Sequence, residues 1–151
     1  MEARVMSRWI VVGTDFSEGA QGALEYAIEL AGALDAKVAC VHAYEDAVGT
    51  PAFHDPAPAL CAQVRETIAM CTARARNVHV EGIVRRGAPW DKLVNVATEL
   101  GADMIVVGAD GQRGASSNGF VGSVASRVVA SSSRKVVVVP STLLHSKGLD
   151  S

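Results

Sequence analysis

The most constraining feature of this sequence is a regular alternation between short apolar runs and longer segments with helical periodicity. Four-residue apolar runs occur at residues 9–12, 38–41, 104–107 and 136–139. A continuous run of this length is typical of a strand that is buried on both faces. The segments between them carry apolar residues at spacings of three and four, which is typical of amphipathic helices. The alternation therefore predicts a parallel sheet with helices on both faces.

The pattern predicts nine elements in the order β-α-β-α-β-α-β-α-β. The third strand, which lies between the apolar runs at 38–41 and 104–107, begins near Val78 and ends at Arg86-Gly87. Prolines and a glycine interrupt residues 47–59, which predicts a surface loop there. The predicted helices cover residues 17–34, 59–76, 89–100 and 123–131.

Length and composition indicate one ordinary globular domain. The chain has 151 residues, and we expect a core over about residues 7–140 and a flexible tail over 141–151. A net charge of -2 gives no electrostatic reason to expect nucleic acid or a membrane as the partner. The first residues lack the apolar core of a leader sequence, so we expect a cytoplasmic protein. The cysteines have no metal-binding spacing and are expected to be free thiols.

Unusual residues follow the first and fourth predicted strands. Gly13, Thr14 and Asp15 follow the first strand, and a glycine-rich segment over residues 108–123 follows the fourth. Ligands of doubly wound sheets bind beyond the carboxyl ends of strands, where the strand order reverses. If the two strands are neighbours, both segments line the same crevice.

The glycine-rich segment has the composition of a phosphate site. Its glycines allow the backbone to approach a ligand, and Gly122-Ser123 begins a helix whose free N–H groups favour a phosphate. Arg113 can add positive charge, and Asp110 can reach a phosphate-bound Mg²⁺. Spacing alone leaves alternatives open: a Gly/Ser surface loop capped by Ser123, a solvated carboxylate at Asp110, and helix capping by Asp15.

Five segments of the chain resemble the universal stress protein family. They read VVGTDFS at 11–17, VHA at 41–43, RGAP at 86–89, ADMIVVG at 102–108 and KVVVVP at 135–140, and the resemblance extends over about residues 7–140. The resemblance implies a Rossmann-like open five-stranded parallel sheet in the order 3-2-1-4-5. It also implies a homodimer that pairs through the last strand, from Val136 to Val139.

The ATP-binding branch of that family carries the pattern Gly-x2-Gly-x9-Gly-Ser/Thr. Gly108, Gly111 and Gly122-Ser123 match it, but ten residues lie between Gly111 and Gly122, one more than in the family. The resemblance implies that the adenosine is bordered by Gly13, Asp15 and Ala43, with Thr14 beside them. It also implies that the ribose and phosphates are held by Gly108, Ala109, Gly111, Gly122, Ser123 and Val124.

These observations predict a universal stress protein-like regulatory protein of the stress response that binds ATP or another adenine nucleotide. Its four histidines are scattered, with no spacing that pairs one with a nucleophile, so we expect no efficient catalysis. Two alternatives remain open at this point. One is a nucleotide-free dimeric scaffold, and the other is a slow ATPase or self-phosphorylating protein.

Overall fold

In a computed structural model of the protein, the described residues are 8–46, 49, 51, 53–73, 77–109 and 122–140. They form the predicted alternation of strands and helices. The elements in chain order are β1 (Trp9–Gly13), α1 (Glu18–Leu34), β2 (Lys37–Tyr44), α2 (Ala57–Thr72), β3 (Val80–Arg86), α3 (Pro89–Leu100), β4 (Met104–Gly108), α4 (Ser123–Ser131) and β5 (Lys135–Val139). The expected tail over 141–151 lies outside the described residues.

The five strands form one parallel sheet in the order β3-β2-β1-β4-β5, which confirms the predicted fold class and strand order. β1 is the central strand: Val12 pairs with Cys40 of β2 on one side and with Val106 of β4 on the other. The chain builds outward from β1 to β3 and then crosses to the opposite side of β1. The direction of winding therefore reverses between β1 and β4.

The helices cover the two faces of the sheet in pairs. Residues of α1 and α2 pack with one set of strand side chains, including Val12 and Cys40. Residues of α3 and α4 pack with the alternate set, including Val11 and Val41. Because strand side chains alternate between faces, each strand contributes to both layers, as continuous apolar runs require.

The predicted start of α2 was two residues too late. The helix begins at Ala57, so Pro58 lies in its first turn instead of in the preceding loop. A proline is compatible with this turn because the first N–H groups of a helix have no intrahelical partner. At its other end, α2 ends at Thr72, and the predicted end at residue 76 lies outside the described residues. Within the described part of the chain, no helix combines the length and apolarity needed to cross a membrane.

Candidate functional site

The two candidate segments meet at the carboxyl edge of the sheet. β1 and β4 are hydrogen-bonded neighbours, so Gly13 and Gly108 end adjacent strands. Gly108 also lies against the first turn of α1: a Cβ added there would be 3.0 Å from the carbonyl oxygen of Gly19. The edge thus brings the β1–α1 loop, the end of β4 and the start of α1 into contact at the reversal point.

Thr14 connects the β1–α1 loop to β2. Its N–H donates to the carbonyl of Val41 at 2.8 Å, and its own carbonyl accepts from Nδ1 of His42 at 2.8 Å. Its hydroxyl oxygen accepts from the N–H of Phe16 at 3.0 Å. Thr14 is only 7% exposed, so these three bonds satisfy polar groups that are largely shielded from water.

Phe16 has an unfavourable backbone conformation, with φ at 68°. A bulky side chain in this left-handed region costs about 1–3 kcal/mol and persists only where its surroundings enforce it. Here the N–H of Phe16 is bonded to Thr14, and its ring lies 4.4 Å from the His42 ring, centre to centre. The loop is therefore held by backbone and side-chain contacts together.

Asp15 and Ser17 form the start of α1. Ser17 is the N-cap, and its hydroxyl oxygen accepts from the N–H of Ala20 at 3.2 Å. The Oδ1 atom of Asp15 accepts from both the N–H and the hydroxyl of Ser17. Asp15 thus contributes to helix capping indirectly, because it bonds to the N-cap residue Ser17 and not to an N–H of the helix. Asp15 remains partly exposed, so this role is compatible with contact to a ligand.

The N-terminus of α4 lies at the same edge. Its N-cap is Gly122, which has no side chain with which to occupy the first N–H groups of the helix. The N–H of Gly122 donates to the carbonyl of Ala109 at 2.6 Å, and the N–H of Ala109 donates to the carbonyl of Val139 at 2.9 Å. These bonds join both ends of the glycine-rich segment to the sheet. Ser123 and Val124 are exposed.

The remaining candidates divide between the described and undescribed parts of the chain. Ala43 is half-buried near the end of β2. Ala39 and Val41 face α3 and α4, so strand alternation places Ala43 on the α4 side and His42 on the α1 side. Asp110, Gly111 and Arg113 lie outside the described residues.

The geometry includes two residues that the sequence did not mark as parts of the site. The strain at Phe16 has no signal in the residue type, because a phenylalanine after a strand is normally packed in an ordinary conformation. His42 has no sequence signal either, and its ring packs against the ring of Phe16. It donates a hydrogen bond to the loop that carries Asp15.

Two of the three cysteines, Cys40 and Cys71, have the chemistry of unreactive thiols. All three are free, as expected. Burial, with a smaller contribution from Cys71, raises the pKa of Cys40 to about 12. Burial, with a smaller contribution from Glu25, raises the pKa of Cys71 to about 11. Among the described residues, no group of three or more acidic, histidine or cysteine side chains could hold a metal ion.

We expect Gly108→Ala to destabilise the protein more than Gly13→Ala. The new methyl group at Gly108 would meet backbone atoms of Gly19 at 3.0 and 3.2 Å, and the first turn of α1 cannot move away without loss of its cap. The methyl group at Gly13 would meet the end of the Leu93 side chain at 2.9 Å, which can change rotamer. Urea unfolding of both variants checks this, with an expected difference of about 1–2 kcal/mol. An equal loss would contradict it.

We also expect Cys40 and Cys71 to resist alkylation in the folded protein. A pKa of about 11 leaves roughly a hundredfold less thiolate at pH 8 than the ordinary value of 9.0, and thiolate is the reactive form. Iodoacetamide at pH 8 should leave both residues unmodified while all three cysteines react in the denatured chain. Peptide mass spectrometry measures this, and equal modification of Cys71 in both states would contradict it.

Comparison with known proteins identifies relatives along nearly the whole chain. The Universal stress protein family model matches residues 6–140. A universal stress protein of Mycobacterium tuberculosis is 37% identical over 108 residues, which cover 66% of this chain and 73% of that protein. A solved universal stress protein in complex with cAMP is 30% identical and has a TM-score of 0.69, over 90% of this chain and 98% of that one.

A universal stress protein from Archaeoglobus fulgidus, solved in complex with dAMP, has the same fold. It is 24% identical with a TM-score of 0.65, over 89% of this chain and 99% of that one.

Proposed function

Because this chain belongs to the universal stress protein family, we propose that it binds an adenine nucleotide where β1 and β4 end. The observation that carries the proposal is the geometry of that edge. The point where the winding reverses coincides with a helix N-terminus whose cap is a glycine. The 30% identical relative in complex with cAMP supports the same ligand class.

The edge offers different chemistry on its two sides. The first N–H groups of α4 and the Ser123 hydroxyl are donors suited to a phosphate. The start of α1 is less suited, because Ser17 already occupies the N–H of Ala20. We therefore assign phosphate to Gly122, Ser123 and Val124. The adenosine is assigned to the ends of β1 and β2, beside Gly13, Asp15 and Ala43.

We propose ATP as the ligand, with Mg²⁺ on its phosphates and Asp110 as the residue that reaches the metal. The N-terminus of α4 supplies donors for one phosphate, and the remaining phosphates would need donors from residues 110–121, where Gly111 and Arg113 lie. Cyclic AMP is the second candidate because it carries a single phosphate and is the ligand of the 30% identical relative. The biological role that follows is that of a nucleotide-responsive regulator in a stress response.

Replacement of Ser123 tests where the phosphate binds. Ser123→Pro removes both the hydroxyl and the N–H at the first helical position, and Gly122 already has the extended conformation that precedes proline, with ψ at 163°. Ser123→Ala removes the hydroxyl alone. We expect calorimetric titration with ATP and cAMP to show affinity about tenfold weaker for Ser123→Pro and a few-fold weaker for Ser123→Ala.

Several outcomes would contradict the assignment. Equal affinity of both variants and the wild type would place the phosphate elsewhere. A wild type whose melting temperature does not rise with millimolar ATP or cAMP would instead favour the nucleotide-free scaffold. Time-dependent release of ADP that is lost in Ser123→Ala or Asp110→Ala would favour the slow ATPase. Titration with GTP and cGMP serves as the control for selectivity toward adenine.

We further propose that the protein is a homodimer that pairs through β5. β5 is an edge strand, and its central valines from Val136 to Val138 are only half-buried. The carbonyl of Val139 faces β4, where it accepts from Ala109. Because successive residues of a strand direct their N–H and C=O groups to opposite sides, Val138 directs its own toward the open edge.

Val138→Pro tests this pairing. The substitution removes an N–H at the open edge without removing a bond to β4, so the sheet should remain intact. We expect Val138→Pro to be a monomer at concentrations where the matched Val138→Ala remains a dimer. Light scattering coupled to size-exclusion chromatography measures the mass. A dimeric Val138→Pro, or a monomeric wild type, would show that the edge of β5 is not the interface.

A further inference from the structure

We infer that His42 is a positioning residue of the nucleotide site, and that its Nδ1–H sets the conformation of the β1–α1 loop, which we define as residues 14–17. The inference rests on the proposed function, since it concerns the loop that would border the adenosine. It goes beyond that function by assigning a role to a side chain that does not itself face the phosphate side of the edge.

The first step is the identity of the donor. The carbonyl of Thr14 can only accept, so the 2.8 Å contact requires that Nδ1 of His42 carries the proton. The N–H of Thr14 is bonded in turn to the carbonyl of Val41. Consecutive residues of β2 therefore hold both backbone groups of Thr14. β2 pairs with strands on both sides, so the bonds arise from a well-supported element.

The second step is the backbone strain at Phe16, which the bonds to Thr14 help to maintain. After Thr14 the chain must turn so that Ser17 can cap α1, and the turn is made with Phe16 in the left-handed region. The Thr14 hydroxyl binds the N–H of Phe16, and the His42 ring contacts the Phe16 ring. His42 thus holds the residue before Asp15 by its hydrogen bond to Thr14, and Thr14 in turn holds Phe16, the residue after it, while the ring contact adds only packing. The position of the Asp15 carboxylate follows from both.

The third step is the face on which His42 lies. The neighbouring Val41 faces α3 and α4, so His42 faces the opposite side of the sheet with Phe16, which packs against the α1–α2 cluster. The α4 N-terminus and Ala43 lie on the first of these sides. His42 therefore acts on a ligand through the loop and not by contact with the phosphate.

Two substitutions separate the hydrogen bond from the ring contact. In His42→Asn the amide nitrogen takes the place of Nδ1, so the donor is kept and the ring is lost. In His42→Phe the ring is kept and the donor is lost. His79→Asn is the control, because His79 is exposed near the opposite end of the sheet and pairs with Glu81. Circular dichroism and melting temperature verify that each variant is folded.

The first measurement needs no nucleotide. Amide hydrogen exchange by NMR reports on the N–H groups of Phe16 and Ser17, which are bonded within the loop. We expect exchange at least about tenfold faster in His42→Phe, and rates within about threefold of the wild type in His42→Asn and His79→Asn. Equal exchange in His42→Phe and the wild type, or fast exchange in His42→Asn, would overturn the inference.

The second measurement is titration of the same proteins with ATP and cAMP. We expect about tenfold weaker affinity in His42→Phe and near wild-type affinity in His42→Asn, a rescue that a general loss of packing would not give. Unchanged affinity in a His42→Phe variant whose loop exchanges faster would overturn the positioning role and leave the proposed function intact. A wild type that binds neither nucleotide would reject the proposed function, while the exchange rates would still decide whether His42 sets the loop.

Discussion

The pairing of β1 between β2 and β4 is the constraint on which the rest of this structure depends. Its apolar side chains reach both faces of the sheet, so it contributes to the α1–α2 core and to the α3–α4 core at once. Its position also separates the two directions of winding, because β2 and β3 lie on one side and β4 and β5 on the other. A single central strand thus determines where the core lies and where the winding reverses, which is the location of the proposed ligand site.

Two helices begin at this edge, and they differ in how their first N–H groups are satisfied. α1 is capped by Ser17, which is itself bonded to Asp15. α4 has a glycine, Gly122, as its N-cap, and the N–H of Gly122 donates to the carbonyl of Ala109. Since a helix N-terminus attracts an anion only where its donors are available, this difference is the reason for proposing the phosphate at α4 and not at α1.

The fold was predictable from the sequence because its determinants are local or repeated. Apolar runs of four residues report burial on both faces, and three helices began within one residue of the predicted start. The predicted start of α2 was wrong because of Pro58. A proline is excluded from the interior of a helix but is compatible with its first turn. The strand order came from the resemblance to a family, because periodicity alone does not specify which strands are neighbours.

The site divides in the same way. The sequence by itself determined the elements, the family and the residues that end β1 and β4, because residue type and spacing encode burial, helix starts and backbone freedom. Only the tertiary structure decided that Gly108 lies against Gly19, that Phe16 is held in a left-handed conformation, and that His42 bonds to Thr14. The first and third of these are contacts between residues that are far apart in the sequence, and the second is maintained by such contacts. No local sequence pattern specifies the distances between these residues.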